Sequence, residues 1–141
     1  MNHWLLWLIL LVLLIALVLV ESRGKVGGIA QLSAQAVVNL MNREKALVID
    51  VRAAKAFCQG HIIHAQNIGL DGIDQAAKRI QKFKSSPVII YDEAQGGKAI
   101  RFAKALKKSG FQQLYALQGG LQAWRKENLP LIKEAESCQK L

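Results

Sequence analysis

The sequence predicts an α/β domain with a mainly parallel sheet, preceded by a single membrane-spanning helix. Short apolar, β-branched runs alternate with amphipathic segments along residues 29–132, as expected for strands connected by helices. The run at Val88–Tyr91 breaks into a polar, glycine-containing loop at 92–97, and apolar residues at helical spacing follow it. An uninterrupted apolar run from Trp4 to Val20 precedes all of these elements.

The N-terminal apolar run has the length and composition of a membrane anchor. As a helix, residues 4–20 measure roughly 26 Å, close to the ~30 Å hydrocarbon thickness of a bilayer, and they contain no charge, glycine or proline. A cleaved signal peptide is the competing interpretation, but no Lys or Arg precedes the run and Val18–Glu21 lacks the small residues of a cleavage site. We therefore predict an uncleaved anchor over residues 1–21.

Basic residues lie on one side of this run. The N-terminal side offers only Met1, Asn2 and His3, whereas the other side begins with Arg23 and Lys25 and continues strongly basic. The positive-inside rule then predicts a single-pass protein of the inner (plasma) membrane, with its N-terminus outside and its domain in the cytoplasm.

The charge of the chain limits the partners that it can meet. Its 141 residues contain 19 Lys and Arg against 10 Asp and Glu, a formal net charge of +9. Such a surface attracts nucleic acid or an anionic membrane, but no nucleic-acid-binding signature accompanies it, so we expect no nucleic acid as a partner. After the loop, Lys98, Arg101, Lys104 and Lys108 share one helix face. A solvated face and an attraction to anionic headgroups or an acidic partner are equally consistent with this pattern.

The region after the anchor divides into three parts. Residues 22–28 are polar and rich in glycine, which predicts a flexible tether. The domain covers residues 29–132, where the alternating elements lie. Residues 133–141 are polar and predict a loose C-terminal tail.

The first half of the domain contains two strands and two helical segments. Residues 29–32 predict a short edge strand, and Ser33 is a suitable N-cap for a helix that runs to Asn42. The run ALVIDV at 46–51 is β-branched and apolar, which predicts the first central strand. A helical turn is predicted at 53–58.

The second half repeats this alternation around the strand at Val88–Tyr91. A helix is predicted over Asp74–Lys84, because apolar residues recur there at helical spacing. The strand is predicted to be buried on both faces of the sheet. The helix after it is predicted to end at Ser109, before a glycine. Leu114–Leu117 predicts another core strand, and Gly119 and Gly120 precede a last short helix that ends at about Lys126.

Four short pieces of the domain carry a family resemblance. They are Ile49–Arg52, Gly60–Ile62 with Ala65–Ile68, the strand, loop and helix from Pro87 to Phe111, and Leu117–Gly120 with Trp124, Leu129 and Pro130. In this order and spacing they make residues 29–132 resemble the single-domain rhodanese-like proteins. The resemblance implies a five-stranded, mainly parallel sheet with helices on both faces. The structural motif residues that it implies are Asp50, Arg52, Gly60, His61, Gly119, Gly120 and Trp124.

The resemblance also implies what the loop after the strand does in active members. There a cysteine thiolate takes a sulfane sulfur from a donor such as thiosulfate, holds it as a persulfide and passes it to an acceptor. The matching position in this sequence is Asp92, and a carboxylate cannot carry a persulfide. The resemblance therefore implies an inactive sulfurtransferase that has no catalytic residue at this position and needs no cofactor.

The loop itself predicts an anion cradle. A strand, a tight loop and a helix N-terminus bring backbone N–H groups and the helix dipole to one point. We expect the Asp92 carboxylate to fill this cradle and to accept hydrogen bonds from the N–H groups of Gly96, Gly97 or Lys98. The cradle comprises Asp92, Glu93, Ala94, Gln95, Gly96, Gly97 and Lys98.

Two functions remain as hypotheses. The first is a membrane-anchored binding or scaffolding module whose partner is another inner-membrane protein or an anionic lipid surface. The alternative is a sulfurtransferase or thiol-redox enzyme that uses Cys58 or Cys138, although their spacing matches neither a C-x-x-C motif nor a metal site. One disulfide between the two cysteines is possible by number, but two free thiols in a reducing compartment are the simpler interpretation of this pair. His61 is interpreted as a hydrogen-bonded structural histidine, and no metal ligands are predicted.

Overall fold

A computed structural model describes residues 2–22, 24–94, 97–134 and 136. Its helices are α1 His3–Ser22, α2 Ala34–Arg43, α3 Ala54–Gln59, α4 Ile73–Arg79, α5 Gly97–Lys108 and α6 Gly120–Lys126. Its strands are β1 Lys25–Val26, β2 Ile29–Leu32, β3 Leu47–Asp50, β4 Gln66–Asn67, β5 Pro87–Tyr91 and β6 Gln113–Leu117. Two 3₁₀ turns occupy Leu70–Gly72 and Gln81–Phe83.

The strands form one mixed sheet in the order β1-β2-β6-β5-β3-β4. The five strands β2 to β6 run parallel where they pair, and β1 pairs with β2 antiparallel. Helices cover both faces: α4 and α5 contribute to one apolar cluster, and α2 and α6 contribute to the other. The predicted α/β class with a mainly parallel sheet is confirmed.

The sheet has six strands rather than five, because the segment expected to be a flexible tether forms a hairpin. Lys25 pairs with Ala30, and Val26 pairs with Ile29. The turn between them is made by Gly27 and Gly28, whose φ angles are +58° and +82°. A two-residue turn with both φ angles positive matches the twist of an antiparallel pair, and glycine adopts it without strain. The expected tether over 22–28 is therefore corrected to a short connection before β1.

The two central strands explain how one sheet supports two cores. All residues of β3 and β5 are buried, as expected for parallel strands with helices on both faces. Because side chains alternate across a strand, Ile49 and Ile90 enter the α4–α5 cluster while Val48 and Ile89 enter the α2–α6 cluster.

The observed boundaries of α2 and α5 agree with the predicted ones, whereas those of α4 differ. Ser33 caps α2 as expected, since its side chain accepts a hydrogen bond from Ala36 N at 3.2 Å. The helix predicted over Asp74–Lys84 instead ends at Arg79 and continues as a 3₁₀ turn. The backbone of Ile80 leaves helical values, with φ −96° and ψ 14°, and this bend redirects the chain towards β5. By contrast, α5 lies within one residue of its predicted bounds.

Residues 3–20 of the helix α1 are exposed within the structure. Residues His3–Val20 have a mean hydropathy of 2.9 and none of this window is buried. By length and composition the segment can cross a membrane, a criterion that a signal sequence also meets.

Candidate functional site

The carboxyl ends of β3 and β5 meet at an open cavity. These neighbouring strands are followed by Arg52 and by Asp92, so both side chains reach the same edge of the sheet. This edge is where α/β sheets commonly bind ligands. The cavity measures about 490 Å³ and is lined by Arg52, Ala53, Ala56, Asp92, Glu93, Ala94, Gly97 and Lys98.

The Asp92 carboxylate lies at the N-terminus of α5. Its side chain is buried, with 7% exposure, and Oδ2 accepts hydrogen bonds from Lys98 N at 3.1 Å and from Ala99 N at 3.3 Å. The first N–H groups of a helix have no partner within the helix, and negative charge is favourable near them. Of the expected donors Gly96, Gly97 and Lys98, the N–H of Lys98 donates to this carboxylate, Gly97 is the first residue of α5, and Gly96 lies outside the described residues. The N–H of Ala99 is an additional donor.

Arg52 and Asp50 form a buried ion pair behind the cavity. Arg52 Nη2 lies 2.7 Å from Asp50 Oδ2, and the two residues are 6% and 0% exposed. Arg52 Nη2 also donates to Gly60 O at 2.6 Å, and Arg52 N donates to Asp50 Oδ1 at 2.8 Å. Burial by itself lowers the pKa of Arg52, but the hydrogen bond and charge of Asp50 outweigh burial and raise that pKa. Three motif residues predicted from the sequence thus form one buried cluster.

Glu93 extends this cluster to the surface. Its Oε2 accepts from Arg52 Nη1 at 2.9 Å, and its Oε1 accepts from Arg125 Nη1 at 2.6 Å. Partial burial opposes ionisation of Glu93, but the hydrogen bonds from Arg125 and Arg52 prevail and hold its pKa below the ordinary value. Sequence reasoning missed Arg125, because it lies 32 residues from Glu93 and no local pattern connects the two.

The glycine pair at the N-terminus of α6 allows that helix to hold the loop after β5. Leu121 N donates to Asp92 O at 2.9 Å, and Gln122 N donates to Glu93 O at 3.0 Å. Gly120 has a φ of +60°, and a Cβ there would lie 2.6 Å from Asp92 O. Only glycine permits this approach, so the loop backbone and the α6 N-terminus satisfy each other.

Comparison with known proteins identifies the family. The Rhodanese-like domain family matches residues 33–127 of the chain. The chain belongs to this family. Its structure resembles the crystal structure of thiosulfate sulfurtransferase from Pseudomonas aeruginosa, with a TM-score of 0.68, 26% identity, and coverage of 75% of this chain and 20% of that one. It also resembles the BH2092 protein of Bacillus halodurans, with a TM-score of 0.64, 28% identity, and coverage of 74% and 77%.

Curated relatives of this rhodanese-like chain include uncharacterized proteins and one enzyme. The uncharacterized protein YibN of Escherichia coli K12 is 36% identical over 104 residues, which cover 67% of this chain and 66% of YibN. A Buchnera aphidicola protein from Schizaphis graminum is 36% identical over 66% of this chain and 63% of its own length. The thiosulfate sulfurtransferase GlpE of Pseudomonas putida is 26% identical over 67% of this chain and 84% of its own length.

Two of the predicted motif residues of the rhodanese-like domain lie away from the cavity. His61 is buried, stacks on Phe57 with ring centroids 3.8 Å apart, and holds Phe57 O at 2.9 Å from its Nδ1. Its backbone forms an antiparallel bridge with Ile132. Trp124 is buried in the α2–α6 cluster, and its Nε1 donates to Pro130 O at 3.1 Å. Both residues hold the last segment of the domain in place.

Two further residues that the sequence did not single out support the ends of the central strands. Asn67 Nδ2 donates to Asp50 O at 3.1 Å and to Arg52 O at 2.8 Å. The Tyr91 hydroxyl accepts from Ile62 N at 3.2 Å, and burial raises the pKa of Tyr91 far above its ordinary value, with the nearby Asp50 charge adding to the effect. The sequence could have indicated Asn67, because this residue lies within Ala65–Ile68, one of the pieces that carry the family resemblance.

The cysteines do not form a thiol site in the part of the chain that is described. Cys58 is 2% exposed and disulfide-bonded, which corrects the expectation of a free thiol at this position. Cys138, the other cysteine of the sequence, lies outside the described residues. Glu134, which belongs to the segment expected to be a loose tail, donates its N–H to Cys58 O at 2.9 Å. Within the described residues no cluster of His, Cys, Asp and Glu can hold a metal ion.

Proposed function

We propose that this chain is a membrane-anchored rhodanese-like domain that binds a partner and does not transfer sulfur. The observation that carries the proposal is the Asp92 carboxylate at the N-terminus of α5, where the family resemblance places the persulfide-forming cysteine. A carboxylate oxygen offers no sulfur nucleophile, and the N–H groups that would lower a thiol pKa already donate to it.

The remaining charges at the site favour binding over catalysis. Arg52 is engaged by Asp50 and Glu93, and Glu93 is also engaged by Arg125. Lys98 is exposed at the rim of the cavity, and no ion pair among the described residues includes it. A cavity of about 490 Å³ next to an available cation is suited to an acidic side chain or terminus of another inner-membrane protein.

An assay of thiocyanate formation tests the loss of sulfur transfer. The full chain in detergent is incubated with thiosulfate and cyanide, beside a thiosulfate sulfurtransferase as a positive control. We expect thiocyanate only with the control enzyme. Turnover by the wild-type chain that is lost in Cys58→Ser but retained in Cys138→Ser would overturn the proposal and place the nucleophile at Cys58.

The second candidate, a thiol-redox enzyme, is favoured by one observation, the disulfide at Cys58. The burial of this residue opposes it, because reactive cysteines are accessible. Reduction with dithiothreitol followed by alkylation and mass measurement distinguishes the two candidates. We expect the native disulfide to resist millimolar dithiothreitol, whereas a redox-active disulfide is reduced readily.

The proposed site of action is the cytoplasmic face of the inner (plasma) membrane, with the N-terminus outside. A disulfide at Cys58 opposes this orientation, because disulfides persist in oxidising compartments. A variant with Cys58→Ser, Cys138→Ser and Lys126→Cys distinguishes a cytoplasmic domain from one outside the cell. Its single cysteine lies at residue 126, which is exposed. We expect a membrane-impermeant maleimide to label position 126 only after lysis; labelling in intact cells places the domain outside.

A photo-crosslinking residue at the cavity tests the binding role. We expect Ala53→benzoylphenylalanine, at an exposed position of the cavity lining that leaves Lys98 in place, to give a discrete adduct with a membrane protein in intact cells. The matched control position is Asp71, an exposed residue that follows the edge strand β4 and does not line the cavity. Equal adducts from both positions would mean that the cavity has no special role in binding.

A further inference from the structure

The charges of this chain are segregated by structural element. The segments 22–43 and 97–126 contain basic residues but no Asp or Glu. They form the hairpin β1–β2, the strand β6 and the helices α2, α5 and α6. The acidic residues of the domain therefore lie in the other elements, among them β3, α4 and the loop after β5.

The densest part of this basic region is the outer side of α5. Its five exposed cations are Lys98, Arg101, Lys104, Lys107 and Lys108. None of them takes part in an ion pair among the described residues. The inner side of α5 packs on the sheet through Ala99, Phe102 and Leu106, so the cations face outward as one surface.

The hairpin β1–β2 lies against this surface. A Cβ on Gly27 would be 2.8 Å from Lys104 Cε, so the side chain of Lys104 covers the hairpin turn. Lys25 of β1 and Lys107 of α5 line one cavity of about 230 Å³, and none of the described residues that line it is acidic. Lys25, Lys104 and Lys107 therefore converge from two elements at the same edge of the domain.

The chain length keeps this edge close to the end of α1. The helix ends at Ser22 and β1 begins at Lys25, and three residue steps span at most about 11 Å. Gly24 O accepts a hydrogen bond from Gln31 N at 2.7 Å, which attaches the connection to β2. This upper limit is comparable to the ~8 Å Debye length at physiological salt, so the charge of Lys25 acts on whatever surrounds the end of α1. Lys104 and Lys107 lie beside the same hairpin.

We propose that the surface formed by Lys25, Arg101, Lys104, Lys107 and Lys108 docks on the anionic phospholipid headgroups of the leaflet that α1 enters; this rests on the proposed anchoring by α1. Basic residues beside a membrane anchor are attracted to anionic lipid at short range. Val26, which is 46% exposed on β1, places an apolar side chain at the same edge. The α5 cations have no exposed large apolar residue between them, unlike the centre of a protein–protein interface.

Distance-dependent quenching in vesicles tests the docking on the full chain. The chain with Cys58→Ser and Cys138→Ser carries a fluorophore at Ser109→Cys, directly after α5, or at Asp71→Cys beyond the opposite edge; both positions are exposed. It is reconstituted in phosphatidylcholine alone or with phosphatidylglycerol, each containing lipids with spin-labelled headgroups. We expect quenching at residue 109 to rise about twofold with phosphatidylglycerol and to return to the phosphatidylcholine value in high salt, while residue 71 is unaffected.

A matched pair of triple variants assigns the effect to the surface. Lys104→Gln, Lys107→Gln and Lys108→Gln should remove the dependence on phosphatidylglycerol. Arg43→Gln, Lys45→Gln and Lys126→Gln, beside or on the helices that cover the other face of the sheet, should retain it. Both sets are exposed and remove equal charge, and circular dichroism melting verifies that they fold.

Anchoring and docking fail in different ways in this experiment. Flotation with vesicles in high salt reports the insertion of α1 alone, and its loss would overturn the anchoring on which the docking rests. A chain that floats in high salt, but whose residue 109 is quenched equally with and without phosphatidylglycerol, overturns the docking alone. Equal loss of the effect in both triple variants would also overturn it, because net charge and not this surface would then be responsible.

Discussion

The cavity at the end of β5 and the outer side of α5 both contain charged residues, but the charges of the cavity are paired and those of α5 are exposed to solvent. At the cavity, Asp50, Arg52 and Glu93 are buried or half-buried and each contacts a charge of opposite sign. On α5 the cations are exposed, and they have no ion-pair partner among the described residues. A buried charge is tolerated only when it is paired, whereas water solvates an exposed charge and leaves it available to a partner. The cavity charges therefore depend on one another, and the α5 charges remain for interaction.

The largest test of this contrast removes the buried cation. Arg52→Ala leaves Asp50 fully buried without its partner, so we expect the free energy of unfolding to fall by ~3–5 kcal/mol. Arg101→Ala on α5 is the matched control and should change the free energy of unfolding by less than about 0.5 kcal/mol. Urea unfolding of both variants measures the difference, and equal stability of the two would contradict the contrast.

The next effect concerns the contact between α6 and the loop. Gly120→Ala introduces a Cβ that would lie 2.6 Å from Asp92 O, at a φ of +60°. We expect a loss of about 2–4 kcal/mol, from the left-handed backbone and from overpacking together. Gly69→Ala is the control, because a Cβ there meets nothing within 4 Å. Thermal melting of the two variants should separate them clearly; a Gly120→Ala chain as stable as the control would show that the loop is free to shift.

A smaller effect is expected at the α5 N-terminus. Asp92→Ala removes the acceptor for Lys98 N and Ala99 N, and we expect a loss of roughly 1–3 kcal/mol. The empty cradle should then bind sulfate, which raises the melting temperature of the variant more than that of the wild type. Asp92→Asn retains an oxygen acceptor without the charge, so its melting temperature should lie between those of the wild type and Asp92→Ala. An Asp92→Ala chain that melts with the wild type and ignores sulfate would contradict the cradle.

The smallest effect is the pH dependence contributed by Glu93. Its folded pKa lies below the ordinary value, so its contribution to stability is present above about pH 4.3 and is lost as the pH falls through the folded pKa. Because Glu93 is half-exposed, we expect less than about 1 kcal/mol. The difference in unfolding free energy between the wild type and Glu93→Gln should shrink as the pH is lowered from 6 to about 3. Glu127→Gln, at an exposed position, should show no such change, and a parallel pH profile for both variants would exclude the Glu93 ion pairs as the cause.

The sequence by itself determined the elements whose signals are local. The β-branched runs predicted β3 and β5, the apolar spacing predicted α5, and Ser33 predicted the start of α2. Each of these depends on the periodicity of side chains or on a cap within a few residues, and such patterns are written in contiguous sequence. The family-like pieces also indicated Asp50 and Arg52 as structural motif residues and Asp92 as the residue at the position of the family's cysteine.

Only the tertiary structure decided which charges meet and which backbone groups touch. Glu93 pairs with Arg52 and Arg125, which are 41 and 32 residues away, because the order of the strands brings their carboxyl ends together. Gly120 is needed because the loop after β5 passes within van der Waals distance of α6. Lys25 joined the sheet because β2 offered an unpaired edge, which outweighed the flexibility expected from its glycine neighbours. Pairings of this kind depend on the arrangement of distant elements, and no contiguous stretch of sequence encodes them.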